Sequence, residues 1–242
     1  MTELYHDYYF FATEHNFKKD FDAILAKYDE YSDIATTLDK LKVYTELLVK
    51  YRRKGIPIPK AFRIKVEKLL PFLDCLECKN KPIVKLYQLA LALFLAPNLT
   101  NYECFKIYFK ENVDFIQSEQ NTLLVFLMNG LSLIKHPNDE KERFTLYKFG
   151  DEKLILTDNG ILYSTLLINI IYRACNLKEH IWAENFIIKY KYALDLNETV
   201  KVQVLKLVTC YILFAKGRFQ DCLLYTSPSP RDLSTSRMPS SA

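Results

Sequence analysis

From Asp39 to Gly55 the chain reads DKLKVYTELLVKYRRKG, and the apolar residues Leu41, Val43, Tyr44, Leu47, Leu48 and Tyr51 return at intervals of three and four. A chain that keeps this spacing almost from end to end has one economical way to bury it, which is helices packed side by side. Thr36 or Thr37 is placed to cap the start of this first helix, and Gly55 supplies a left-handed exit. Ile56 to Pro59, IPIP, breaks the chain, and the next helix turns Phe62, Val66, Leu69, Leu70 and Phe72 or Leu73 inward.

The same period continues. Ile83 to Leu95 is strongly apolar and is stopped by Ala96-Pro97. Tyr102 to Ile116 carries Phe105, Tyr108, Phe109, Val113 and Ile116 on one face, with Asn112 as the one polar intruder. Leu123 to Ile134 is apolar on nearly all sides, which predicts a central helix ended by Pro137-Asn138. A charged helix follows from about Asp139 to about Leu154, before the turn residues Thr157 to Gly160, TDNG. Lys153 to Thr157, KLILT, is the one stretch with strand character, and a helix end running into a loop accounts for it better. Glycine and proline number only 5 and 9, too few for the turns of a β-sandwich or for a glycine-rich phosphate loop. The expected fold class is all-α.

Charge and cysteine usage narrow the function classes. The formal charge is +4, and residues 1–221 carry 31 basic against 28 acidic side chains, so +3. The two signs alternate along most segments, as on solvated helix faces, and the basic run Lys50 to Lys54 complements a helix C-terminus. No nucleic-acid partner is expected. The start, MTELYHDYYFF, has acidic residues where a secretory leader needs basic ones, and the longest apolar run, Leu89 to Ala96, is less than half a membrane span. Neither a membrane nor a secretory route is expected. Cys104, Cys175 and Cys210 each sit within an apolar helical pattern, as buried reduced thiols do in a cytoplasmic protein.

No catalytic, cofactor-binding or metal-ligating residue can be assigned. Cys75-Leu76-Glu77-Cys78 lacks the second ligand pair of a zinc site and the strand–helix setting of a redox centre. His6, His15, His136 and His180 are scattered, with none of the spacings of a zinc or di-iron site. Phosphate-loop, dinucleotide and nucleophile-elbow motifs are absent from the sequence. Asn98-Leu99-Thr100 and Asn197-Glu198-Thr199 match glycosylation acceptors but read more simply as capped helix starts. Trp182 reads as packing, and the aromatic entry Leu4 to Phe11 reads as a helix face against its neighbour.

One internal similarity stands out. LLINIIYRACNLKEHIWAENFI (Leu166 to Ile187) and LKLVTCYILFAKGRFQDC (Leu205 to Cys222) align at an offset of 39 residues, which pairs Leu166 with Leu205, Ile171 with Cys210, Ala174 with Leu213 and Ala183 with Cys222. Each half reads helix, short turn, helix. The second turn, Lys216 to Phe219, carries a glycine followed two residues later by an aromatic, and the first has Lys178 where glycine is expected. This resembles the tetratricopeptide pattern, in a divergent form longer than the usual repeat, and is similar to large bacterial proteins built from divergent helical repeats. The resemblance is clearest over residues 163–221. It implies antiparallel helical hairpins stacked as an α-solenoid over residues 1–221, without cofactor. The function expected of such an array is a non-enzymatic scaffold or adaptor, binding a protein or peptide partner on its curved surface. The alternative is an enzyme or small-ligand binder with its site inside the helical bundle.

The closing segment, CLLYTSPSPRDLSTSRMPSSA (Cys222 to Ala242), shifts abruptly to Ser, Pro, Thr and Arg in the middle of an expected helix. It resembles the translation of a transposon-type sequencing adapter. Cys222 to Asp232 and Ser236 to Ala242 correspond to two constant blocks, and Leu233 to Thr235 to a variable index between them. That resemblance implies a non-native tail over residues 222–242, a repeat array truncated after Asp221, and at most an accidental helical continuation over Cys222 to Tyr225.

Overall fold

The computed structural model describes residues 21–75 and 81–226. Among these residues the fold is all-α, with ten α-helices, two single-turn 3-10 helices and no strand; the one β-bridge joins Asp158 to Ile161. The chain divides into two compact units, Met1–Asp139 and Glu140–Ala242.

In the first unit, helix α1 (Phe21–Arg53) is followed by α2 (Lys60–Cys75), α3 (Pro82–Leu95), α4 (Leu99–Asn112) and α5 (Gln120–Ile134). The central helix is α3, which packs against the other four. Its sequence PIVKLYQLALALFL is apolar almost all round, and Leu86, Ala90, Leu91, Leu93 and Phe94 have no exposed surface. The expectation that Leu123 to Ile134 would be central is thereby corrected. Helix α5 lies beside α3 and leaves Val125 exposed. Gly130 lets the two helices approach, because a Cβ there would sit 2.4 Å from Leu93 Cδ2.

Helix α1 differs from expectation in two respects. It runs unbroken for 33 residues, so Thr36 and Thr37 are interior positions rather than caps. Thr37 and Thr45 are buried, and the Thr45 hydroxyl donates to the Leu41 carbonyl one turn back. Val43 and Leu47, expected inside, are exposed, because the buried stripe is set by Leu41, Leu48 and Val49, while Tyr44 and Tyr51 turn onto Phe62 of α2. The basic run at the end of α1 serves a neighbour as well as its own helix. Arg52 donates from Nε to the Phe94 carbonyl (2.9 Å) and from Nη2 to the Leu95 carbonyl (2.8 Å), supplying donors to the otherwise unpaired C-terminus of α3.

The second unit contains α6 (Asp139–Glu152), α7 (Ser164–Asn176), α8 (His180–Tyr190), α9 (Glu198–Ala215) and α10 (Phe219–Thr226). KLILT forms no strand. Helix α6 ends at Glu152, and Ile155 and Leu156 are buried as loop residues. The TDNG turn forms as read, with paired hydrogen bonds between Asp158 and Ile161 and left-handed backbone at Asn159 and Gly160. Asn197 caps α9 by accepting from Val200 N at 2.9 Å, as Asn98 caps α4 by accepting from Asn101 N at 2.8 Å. Both acceptor-like tripeptides are therefore helix starts. Helix α10 continues through Cys222 to Thr226, so the apolar beginning of the closing segment is helical.

Candidate functional site

Two places combine geometry with chemistry, one in each unit. In the first unit, α4 runs into a 3-10 turn (Val113–Phe115) and a second one (Gln117–Glu119) leads into α5. Ile116 between them is buried, and Gln120 Nε2 donates to the Val113 carbonyl at 2.8 Å, which fixes the corner. Glu119 just precedes α5, where the helix dipole favours a carboxylate. Its two oxygens accept from Lys42 Nζ and from the Tyr87 hydroxyl (2.6 Å), and the Lys42 ammonium also lies 5.9 Å from the Tyr87 ring centroid. Residues from α1, α3 and the entry to α5 are thus braced together at one point.

Beside this brace is an open depression of about 600 Å³, lined by Leu38, Ile83, Phe115 and Ile116 with Lys42 and Glu119 at its polar side. Phe115 is 77% exposed. Burial, and then hydrogen bonding to Glu119, holds the Tyr87 phenol well above the ordinary tyrosine range. Tyr87 is therefore a neutral donor near pH 7. With Lys42 and Glu119 engaged by one another, the three side chains brace this corner.

In the second unit, α7–turn–α8 and α9–turn–α10 repeat one backbone pattern. In the first turn, Leu177 N donates to the Arg173 carbonyl, Lys178 N to Cys175 and Glu179 N to Ala174. In the second, Lys216 N donates to Ile212, Gly217 N to Phe214 and Arg218 N to Leu213. Every donor and acceptor in the second set lies 39 residues beyond its counterpart. These are Schellman ends, which place the residue after the cap in left-handed backbone. Gly217 has φ +74° and Lys178 has φ +61°, so lysine occupies the glycine conformation. The α1 exit at Gly55 and the α6 exit at Leu154 have the same bonding.

The two helix–turn–helix segments also touch through residues 39 positions apart. The Tyr172 and Tyr211 rings, 39 positions apart, meet edge to face at 6.1 Å. Lys216 at the end of α9 pairs with Glu184 of α8. Helix α8 meets α6 through one ring contact, Phe144 to Trp182 at 5.0 Å, and Trp182, Phe186 and Tyr190 then stack along α8 itself at 4.9 Å and 4.5 Å. The Tyr190 hydroxyl donates to Asp151 at 3.0 Å, and Lys148 pairs with Glu179 at 2.9 Å. Trp182 is accordingly a packing residue. On the outer side of α8, Ile181 and Ile188 are exposed, as is Tyr192 just beyond it.

Other residues singled out in the sequence are not brought together. The Cys75 to Cys78 motif ends α2 and passes outside the described residues, and His6, His15 and the aromatic entry Leu4 to Phe11 lie outside them altogether. His136 lies beside the Tyr102 ring in the first unit, whereas His180 opens α8 in the second. Cys175 and Cys210 are buried, but Cys104 is exposed, a correction set by the side of α4 on which Tyr102, Phe105 and Phe109 are buried. Among the described residues no group of three or more His, Cys, Asp or Glu is placed to hold a metal ion. Nor is any helix there long and apolar enough to cross a membrane.

The Lys42–Tyr87–Glu119 brace left no local trace in the sequence, since its members are 32 and 77 residues from Glu119. The exposed residues Val200, Leu207 and Phe214 on α9 stand at i, i+7 and i+14. Set against family models, curated proteins and solved structures, the chain matches none. What the fold itself defines is an all-helical protein, among the described residues, with a helix exit that recurs bond for bond.

Proposed function

We propose that this protein is a non-enzymatic scaffold of the tetratricopeptide-like kind, in which stacked helical hairpins form an α-solenoid that displays a surface to a protein or peptide partner in the cytoplasm. The observation that carries this reading is the recurrence of the α7–α8 turn at α9–α10, bond for bond, at 39 residues, together with the contact between the equivalent Tyr172 and Tyr211. A hairpin of this length cannot bury its apolar face alone, and stacking like on like does so while leaving an outer surface free. The exposed Ile181, Ile188 and Tyr192 are the apolar anchors such a surface offers. Selecting a displayed-peptide library against the full chain tests the reading. Selected peptides are expected to bind the chain and to lose that binding in the double variant Ile181→Glu, Ile188→Glu, with its melting temperature unchanged. A library that yields no binder, or binders that the double variant holds equally well, rejects it.

A second reading, a small-ligand site in the first unit, is favoured by one observation, the depression beside Lys42 and Glu119. Its volume is within the usual span of ligand pockets, about 300–1,000 Å³. A fragment screen read by protein NMR would assign it if shifts clustered at Leu38, Ile83 and Phe115 and vanished in Lys42→Ala.

A further inference from the structure

The chain contains two Asn-Gly pairs, Asn129-Gly130 and Asn159-Gly160, and the fold treats them in opposite ways. In such a pair the backbone nitrogen after asparagine belongs to a residue without a side chain, so it can reach the side-chain amide carbon unhindered. Asn129 and Gly130 lie inside α5, where each backbone N–H belongs to the ladder of bonds to the carbonyl four residues back. Gly130 is buried against Leu93, and Asn129 is half-buried. Asn159 and Gly160 form the tip of the TDNG turn, and both are exposed. Nothing lies within 4 Å of the place a Gly160 Cβ would take. The two residues hold left-handed backbone at φ +49° and +80°, closed by one reciprocal pair of hydrogen bonds between Asp158 and Ile161 at 2.9 Å each. The Asn159 side chain donates from Nδ2 to Asp158 Oδ1 at 3.2 Å, a contact at the surface.

We propose that, independently of the scaffold reading, Asn159 is a site of spontaneous covalent modification, passing through a cyclic imide to aspartate and isoaspartate, while the fold protects Asn129. In the ring-forming step the Gly160 nitrogen bonds to Asn159 Cγ and the Cγ–Nδ2 bond breaks. Hydroxide takes the Gly160 amide proton, and water returns one to the departing nitrogen, which leaves as ammonia. A water molecule then opens the imide. Addition at Cγ restores the ordinary backbone with an aspartate side chain, whereas addition at the backbone carbonyl carbon of residue 159 routes the chain through Cγ and leaves isoaspartate. Left-handed backbone turns the side-chain carbon away from the following nitrogen, so ring closure requires the turn to open. That opening breaks two hydrogen bonds at the surface. The same rotation at Asn129 breaks a 15-residue helix in its interior and pulls Gly130 away from Leu93. The product reaches beyond the tip. Isoaspartate adds a methylene to the backbone and a carboxylate beside Asp158, so the Asp158–Ile161 pair no longer closes in register. Leu162, the next residue, donates to the Ala193 carbonyl at 2.8 Å and ties this turn to the α8–α9 connection.

The experiment holds the full chain at pH 8 and follows both Asn-Gly peptides by mass spectrometry, with a parallel sample unfolded in urea. In the folded chain Asn159 is expected to convert faster than Asn129 by about tenfold or more, and in urea the two should convert at like rates. Isoaspartate is read by methyl transfer from S-adenosylmethionine with an isoaspartate-specific protein carboxyl methyltransferase. The label should fall on the peptide holding residue 159 and be missing from that peptide in Asn159→Gln. Amide exchange at Asp158 and Ile161 should be faster in the aged chain than in the fresh one. An Asn159 that keeps its amide as long as Asn129 does in the folded chain overturns the proposal. A contrast that persists undiminished in urea also overturns it, since the fold would then not set the difference. Conversion without any methyl-accepting product overturns the isoaspartate branch, and unchanged exchange at Asp158 and Ile161 overturns its effect on the turn.

Discussion

The two helix–turn–helix segments of the second unit share a turn, yet their second helices make different contacts. Helix α8 meets α6 through the Phe144–Trp182 ring contact and through Asp151, which accepts from Tyr190 and pairs with Lys189. Helix α10 has the Phe214–Phe219 edge contact and the mutual approach of Cys210 and Cys222, each sulfur within 4 Å of the other's carbonyl oxygen. The same backbone exit thus leads in one case to a helix that also meets α6, and in the other to a helix whose described contacts are with α9. The lesson is that the turn fixes where the chain goes, while neighbours fix how firmly it stays. Replacing one aromatic in each hairpin should expose the difference. Phe186→Ala removes a fully buried ring and is expected to cost about 3–5 kcal/mol, whereas the exposed Phe219 replaced by alanine should cost less than about 1 kcal/mol. Thermal or urea unfolding measures both, and equal losses would dissolve the contrast.

The turns themselves differ in one residue. Gly217 adopts φ +74° without a Cβ to clash, and Lys178 adopts φ +61° with one. Gly217→Ala is therefore expected to destabilise the protein by about 1 kcal/mol, through strain alone, since nothing lies within 4 Å of a Cβ built there. Lys178→Gly should act in the opposite direction and more weakly, by roughly 0.5 kcal/mol, because relief of strain is offset by the freer unfolded chain. Chemical denaturation of the two variants checks the pair. Changes of the same sign would mean that the turns are not equivalent.

These residues also show what the sequence made legible. The helices, the TDNG turn and the caps at Asn98 and Asn197 follow from local rules, so spacing and residue type sufficed. The 39-residue offset was legible too, but Lys178 counted against it, because residue type cannot reveal a non-glycine held in left-handed backbone by its hydrogen bonds. Side-chain destinations were less accessible. Arg52 reads as a cation for its own helix end, and only packing shows it reaching the carbonyls of Phe94 and Leu95. Val43 and Leu47 fit the helical period as well as Leu41 and Leu48 do, yet a helix of 33 residues chooses its buried stripe by where neighbours sit. The Lys42–Tyr87–Glu119 brace joins three distant segments, and no local pattern encodes such a meeting.

The smallest expected effect concerns Cys175, whose counterpart in the second hairpin is the exposed Phe214. Burial pushes the Cys175 thiol up to about 11, with the nearby Lys216 charge opposing part of that rise. A thiol whose folded value lies above its unfolded one, near 9, holds its proton more tightly in the native state. Its contribution is then fully present below about pH 9 and is lost as pH rises through about 11. Stability should therefore slope downward over that window, and Cys175→Ala should remove this part of the slope without altering the behaviour at pH 7 to 8 beyond a constant offset. Alkylation at pH 8 gives the kinetic counterpart. The exposed Cys104 should be modified well before Cys175, as followed by mass spectrometry of the labelled peptides. Equal rates would mean that Cys175 is not buried in the folded protein as the structure has it.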